Sequence, residues 1–181
     1  MDRIRIVGRD EAPPEVQGIY DGLEEKFQKV PNLFGTVAHH PPAQRPRLEL
    51  FVSIYEDTSL PPRVVELAII RVSYALQSHY CLTMHKAFAL EVGIEDDELR
   101  TLISDGPYDR FPEAERAVIE YAADYATDSR KITDAQYARL REHYSEEQVV
   151  NLSMLMGVSR LFGDMANSLH IPLDAITKPT A

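Results

Sequence analysis

Three proline pairs, Pro13-Pro14, Pro41-Pro42 and Pro61-Pro62, each stand just before an apolar segment of helical period. Proline fits the first turn of a helix, where its missing N–H would lack an intrahelical partner. It also drives the preceding residue out of helical geometry. The pairs therefore read as helix starts. No alternating apolar–polar stretch of useful length occurs apart from a candidate strand over Arg3 to Val7. The expected class is all-α: one bundle of about seven to eight helices spanning residues 1–181, with residues 1–12 as an N-terminal extension.

The first helix is expected over Glu15 to Lys29, with Val16, Ile19, Tyr20, Leu23 and Phe27 on one face. Val30 to Gly35 breaks it. A second helix, Ala43 to Tyr55, carries Leu48, Phe51, Val52 and Tyr55. The third, Arg63 to Leu76, is almost wholly apolar on its inward side, which marks it as the central helix. A fourth runs from Ser78 to Val92, where Gly93 ends it. Further helices are expected over Glu95 to Ser104, Glu113 to Asp128, a Thr133-capped stretch through His143, and Ser145 to Leu169.

Composition narrows the function classes. The chain has 181 residues, 44% apolar and 27% charged, enough for a full core. No apolar run reaches the ~18 residues of a membrane span, and Met1 to Pro14 lacks the apolar stretch of a secretory signal. A net charge of -10 argues against a nucleic-acid partner. One cysteine excludes an intrachain disulfide. A cytoplasmic protein without membrane or nucleic-acid partners is expected.

The chemistry-bearing residues gather between Glu66 and His85. Ser78, Cys81 and His85 share one helix face at spacings of three and four residues. If Ser78 caps that helix, Cys81 lies in its first turn, where free N–H groups favour a thiolate. The alternative is a buried, inert cysteine. Glu66 sits in an apolar helix, where a carboxylate is costly unless paired or protonated. It is either a proton-transfer group or the partner of Arg63 or Arg71. His85, four residues after Cys81, is either the imidazole of a thiolate–imidazole pair or a helix-surface or core histidine satisfied by a backbone carbonyl. His79, Cys81 and His85 make a poor metal set, since His79 points elsewhere on the helix. His39, just before Pro41-Pro42, either reaches a pocket or lies in an exposed turn.

The pattern Glu66, Cys81 fifteen residues on, and His85 four beyond resembles the carboxymuconolactone decarboxylase family, which includes the alkylhydroperoxidase D-like proteins. The likeness extends through Val30 to Phe34, His39-His40-Pro41, Leu60 to Arg63, Tyr80-Cys81, Ala89 to Gly93, Phe111 to Ala126 and Arg160 to Pro172. The resemblance implies the alkylhydroperoxidase D-like helical fold, association as dimers, trimers or hexamers, and a site near subunit contacts. It carries Glu66, Cys81 and His85 over by position, with Tyr80 at a place often Tyr or His. Redox-active members have Cys-x-x-Cys, and here Ser78 replaces the first cysteine. A dithiol cycle needs two sulfurs, so that cycle does not transfer as it stands.

The family's decarboxylase branch works on a small carboxylated lactone from aromatic ring cleavage, with no metal or organic cofactor. The resemblance thus implies a decarboxylase or lactone/ester hydrolase acting on a small acidic substrate without cofactors. Glu66 and His85 would transfer protons, Cys81 or Ser78 would donate a hydrogen bond or act as nucleophile, and Arg71 or Arg160 would hold the carboxylate. Two alternatives stay open: a one-cysteine peroxidase using Cys81, and a non-catalytic ligand-binding oligomer.

Overall fold

The computed structural model describes residues 3–174. Among them are nine α-helices and no strand: α1 (Pro14–Phe27), α2 (Asn32–Val37), α3 (Pro41–Tyr55), α4 (Pro62–Ala75), α5 (His79–Glu91), α6 (Asp96–Leu102), α7 (Glu113–Asp128), α8 (Asp134–His143) and α9 (Glu146–Leu169). The fold is all-α, as expected. Each proline pair starts a helix: Pro14, Pro41 and Pro62 are first helical residues of α1, α3 and α4. Two later starts use side chains. Thr133 Oγ1 accepts from Gln136 N–H at 3.2 Å, and Ser145 Oγ accepts from Gln148 N–H at 3.2 Å. In both, the glutamine reaches back to the cap's own N–H, closing a capping box.

Two local expectations need correction. Arg3 to Val7 is not a strand, because no extended neighbour runs beside it. Val7 N–H instead bonds Gly35 O at 3.1 Å, and Tyr20 Oη donates to Val7 O at 2.8 Å. Within the segment read as a plain break, Asn32 to Val37 forms the short helix α2. It is held there by tertiary contacts described below.

α4 is the central helix. Every residue from Val64 to Ser73 is buried, with α5, α7 and α9 packed around it. Leu67 and Ile70 are fully buried, and each such side chain contributes about 1.5–3 kcal/mol relative to exposure. Because the stretch from Val64 to Ser73 has no solvent face, the polar side chains of Glu66, Arg71 and Ser73 are buried inside. The α4–α5 connection is a tight one. Gln77 takes a left-handed conformation (φ 52), Ser78 N–H bonds Ser73 O, and Gln77 N–H bonds Tyr74 O, both at 2.9 Å. This Schellman-type ending satisfies the last carbonyls of α4 and turns the chain directly into α5. It brings Cys81 and His85 back alongside Glu66.

Candidate active site

A cavity of about 780 Å³ lies between α1, α3, α4, α5 and the middle of α9. Its walls are mostly apolar, with Leu48, Phe51, Ile69, Met84, Phe88 and Phe162 among them. Few polar groups reach it, which is the usual composition of a small-molecule site.

The central polar group is Glu66, which is 1% exposed. Its Oε2 lies 2.9 Å from His85 Nδ1, and its Oε1 accepts a hydrogen bond from Tyr55 Oη. α4, α5 and α3 each supply one member of this network. The carboxylate fixes the imidazole orientation: Nδ1–H donates to Glu66, and in the neutral ring Nε2 is left as the acceptor. Phe88 and Tyr55 hold the ring edge-on, with centroids 5.5 and 6.3 Å away. The Tyr55 phenol is pushed well up, first by burial and then by the Glu66 charge, so it stays a donor. Arg63 and Arg71, the alternative partners for Glu66, are occupied elsewhere. Arg63 pairs with Glu98 at 2.6 Å and Glu115 at 2.9 Å.

Cys81 also lines the cavity, as the third residue of α5. It is 8% exposed, and burial pushes its thiol above the ordinary value. The nearby Ser78 hydroxyl pulls weakly the other way. Burial thus favours the neutral thiol over the thiolate that a helix start alone would favour. Ser78 occupies the N-cap position, but its side chain makes no capping bond. Its Oγ is buried without a partner of ordinary geometry. Ser73 Oγ, on the cavity wall, is likewise buried and unpartnered.

Tyr80 lines the cavity, and its hydroxyl is engaged on both sides. It donates to Asp174 Oδ2 and accepts Leu33 N–H at 3.2 Å. Burial, with the Asp174 carboxylate, pushes this phenol up. Asp174 also takes Asn32 N–H at 3.1 Å and pairs with Lys29 at 2.9 Å. Its side chain is fully buried. The segment after α9 therefore straps α2 against Tyr80, and Leu33 and Phe34 of α2 complete the wall.

The remaining expected binding residues lie outside the cavity. Arg71 Nη1 donates to Leu102 O at 3.3 Å and Ser104 O at 2.9 Å, holding the loop after α6. Arg160 Nη1 donates to Ala126 O at 2.7 Å, and its Nε lies 3.6 Å from Asp164. His39 is exposed, with Nε2 3.0 Å from Arg5 O. Both arginines are engaged by backbone carbonyls away from the cavity, although Arg71 Nε is buried without a partner. Arg47, Tyr55 and Asp174 join the site without having been expected from the sequence. The signal for the first two was available: Arg47, Phe51 and Tyr55 recur every four residues along one face of α3.

Among the described residues no three His, Cys, Asp or Glu groups gather as a metal site would need. No helix there is long and apolar enough to cross a membrane.

Known proteins place this architecture. The chain is 32% identical over 92 residues to the uncharacterized protein YdfG of Bacillus subtilis (strain 168), covering 50% of this chain. That match takes in 63% of YdfG, less than two thirds of its length. An alkylhydroperoxidase AhpD core structure, an uncharacterized peroxidase-related protein from Ralstonia eutropha JMP134, superposes with a TM-score of 0.85 at 21% identity. That superposition covers 96% of this chain and 93% of the other. The debrominase Bmp8, as a variant in complex with 2,3,4-tribromopyrrole, superposes with a TM-score of 0.77 at 19% identity, covering 94% and 90% of the two chains. At such identities the likeness is one of fold. Residues 41–150, which carry Arg47, Tyr55, Glu66, Cys81 and His85, match the carboxymuconolactone decarboxylase family as a whole. By that match and this AhpD-like helical fold, the chain belongs to the carboxymuconolactone decarboxylase family.

Proposed function

We propose that this chain is a cofactor-free acid–base enzyme acting on a small unsaturated carboxylic acid or lactone of the kind aromatic ring cleavage yields. The observation that carries the reading is the 2.9 Å contact between His85 Nδ1 and Glu66 Oε2 in the wall of a mostly apolar cavity. A carboxylate that orients an imidazole from behind leaves the other ring nitrogen free to move a proton. In lactone hydrolysis, Nε2 takes a proton from water as the oxygen attacks the carbonyl. The ring C–O bond then breaks, and the departing oxygen receives that proton. In decarboxylation, the bond to the carboxyl carbon breaks, carbon dioxide leaves, and the electron pair enters the conjugated system. His85 Nε2 then passes a proton taken up from solvent to a carbon of that system. Cys81, as a neutral thiol, donates a hydrogen bond to the developing oxyanion or enolate. Bmp8, which holds a small flat unsaturated ring, supports that shape of substrate for this fold.

The one-cysteine peroxidase reading has support from the peroxidase-related neighbours. It requires a thiolate, and the buried Cys81 opposes that. Turnover decides between the two. A panel of unsaturated five-membered lactone acids and conjugated dienoic acids is followed by ultraviolet absorbance and carbon dioxide release. The parent is expected to convert at least one, with His85→Gln slower by about 10²-fold or more. Equal rates in the parent, Glu66→Gln and His85→Gln overturn the proposal. So does an inert panel beside rapid stoichiometric oxidation of Cys81 by a small peroxide.

Self-association belongs to the same proposal. On α9, Val150, Met154 and Leu161 are exposed on one stripe with Gly157 between them. Leu50 and Tyr137 border the groove beside it. A two-fold interface uses the same patch on both copies, and an apolar stripe of this kind suits it.

A further inference from the structure

Arg47 is the one partly buried cation on the cavity wall without a carboxylate partner among the described residues. Its guanidinium carbon lies 4.0 Å from the Phe34 ring centroid and 5.3 Å from that of Phe162. Of its N–H groups, Nη2 donates to Gln44 Oε1 at 3.1 Å, and Nε is buried with no partner at all. Gln44 is itself fully buried and anchored to Phe34 O at 2.7 Å, so the guanidinium is held in place. Native proteins seldom leave buried donors unsatisfied, and an unpaired buried charge is costlier still. Burial lowers the Arg47 pKa to about 10, the opposite of what a salt bridge would do. A fork of donors fixed against two rings suits a planar carboxylate.

The rest of the wall limits how much negative charge a ligand can carry. Lys26 is paired with Glu56, Glu66 is committed to His85 and Tyr55, and Glu91 adds another carboxylate. Arg45 is exposed on the same helix. One anionic group is matched; a second would meet carboxylates. Position matters as well. Arg47 and Tyr55 lie on one face of α3, two turns apart, with Phe51 between them. At ~1.5 Å rise per residue their Cα atoms are about 12 Å apart along the axis. The Phe51 ring stacks on Tyr55 with centroids 4.8 Å apart, and Tyr55 bonds Glu66.

We infer that Arg47 is the anion-recognition residue of this cavity, which takes an organic monoanion whose flat apolar body lies over Phe51. The inference deepens the proposed function and rests on it for what happens at the far end. The anchored carboxylate is then remote from His85 and stays on the product. Of the two proposed reactions this selects lactone or ester hydrolysis, because decarboxylation at His85 would need a second carboxylate. Chemistry occurs at the opposite end of the molecule.

Binding tests this without turnover. Calorimetry compares trans-cinnamate, its neutral amide, octanoate and acetate on the parent, Arg47→Gln, Arg47→Lys and His85→Gln. The parent is expected to bind cinnamate at least 10-fold tighter than the amide, and acetate weakly. Arg47→Gln should lose that preference, and Arg47→Lys should keep part of it. His85→Gln should bind cinnamate like the parent, so the anion site and the proton-transfer reading fail separately. Equal binding of cinnamate and amide by the parent overturns the proposal, and this comparison needs no variant to fold. So does a folded Arg47→Gln with parental affinity, or a parent that binds no carboxylate. Octanoate binding as tightly as cinnamate overturns the flat-body assignment.

Discussion

His85 Nδ1 and Glu66 Oε2 meet at 2.9 Å although nineteen residues separate them, because the α4–α5 turn folds one helix back along the other. The bond does more than give a buried carboxylate a donor: it decides which imidazole nitrogen is left as the acceptor.

Glu66→Gln tests that role. The amide can offer its N–H₂ to His85, which favours the opposite tautomer and puts the proton on Nε2. With a substrate in hand, kcat should fall by about 10²-fold or more while binding is little changed. The His85→Gln and Glu66→Gln losses should not add in the double variant, since the two residues act as a unit. Additive losses would separate their roles.

The Cys81 thiol is held above its ordinary range by burial. Iodoacetamide should modify the native protein slowly at pH 7–8 and faster only well above the ~8.5 of a free cysteine. The sign for stability follows. A raised native pKa means the native state keeps its proton longer than the unfolded chain. Stability from this group is therefore full below the unfolded pKa and is lost as pH rises through the native one. Urea midpoints at pH 7 and pH 10 should draw closer together in Cys81→Ala than in the parent. Fast alkylation at pH 7 would contradict this.

Asp174→Asn removes a buried charge that Tyr80, Asn32 and Lys29 share. The expected cost is about 1–3 kcal/mol, the scale for a hydrogen-bonded charged group. Amide exchange at Asn32 and Leu33 should quicken before exchange within α4 does, since α2 is what the carboxylate holds. A variant as stable as the parent, with unchanged exchange, would assign the cluster no structural role.

Met154→Glu places a charge on the exposed apolar stripe of α9. Light scattering after gel filtration should show a smaller assembly than the parent's, with helicity by circular dichroism unchanged. A parent that is itself monomeric would remove the stripe as an interface.

Much of this architecture was legible from short-range rules. Proline pairs mark three helix starts because their chemistry acts within one turn, and Thr133 and Ser145 cap theirs by bonds spanning three residues. The burial of α4 followed from its unbroken apolar content. Glu66, Cys81 and His85 were found by spacing, yet what pairs Glu66 was not, since Tyr55 enters from another helix. Arg71, Arg160 and Arg47 carry the same charge; only packing shows that the first two bond backbone carbonyls outside the cavity while Arg47 lines it. α2 escaped notice because six residues form a marginal helix alone. Asp174, 142 residues beyond the Asn32 it holds, follows no local pattern.

The strap made by Asp174 carries a consequence for how the protein is made. Tyr80 and the first turn of α2 are synthesised early, but the carboxylate that joins them arrives almost at the end of the described chain. The growing polypeptide can form α4 and α5 while still attached to the ribosome, yet one side of its cavity stays unsealed until residue 174 emerges. The nascent chain thus leaves the apolar faces of α1, α3, α4 and α5 uncovered until α9 and then residue 174 emerge, and that is the interval in which it needs protection from its neighbours.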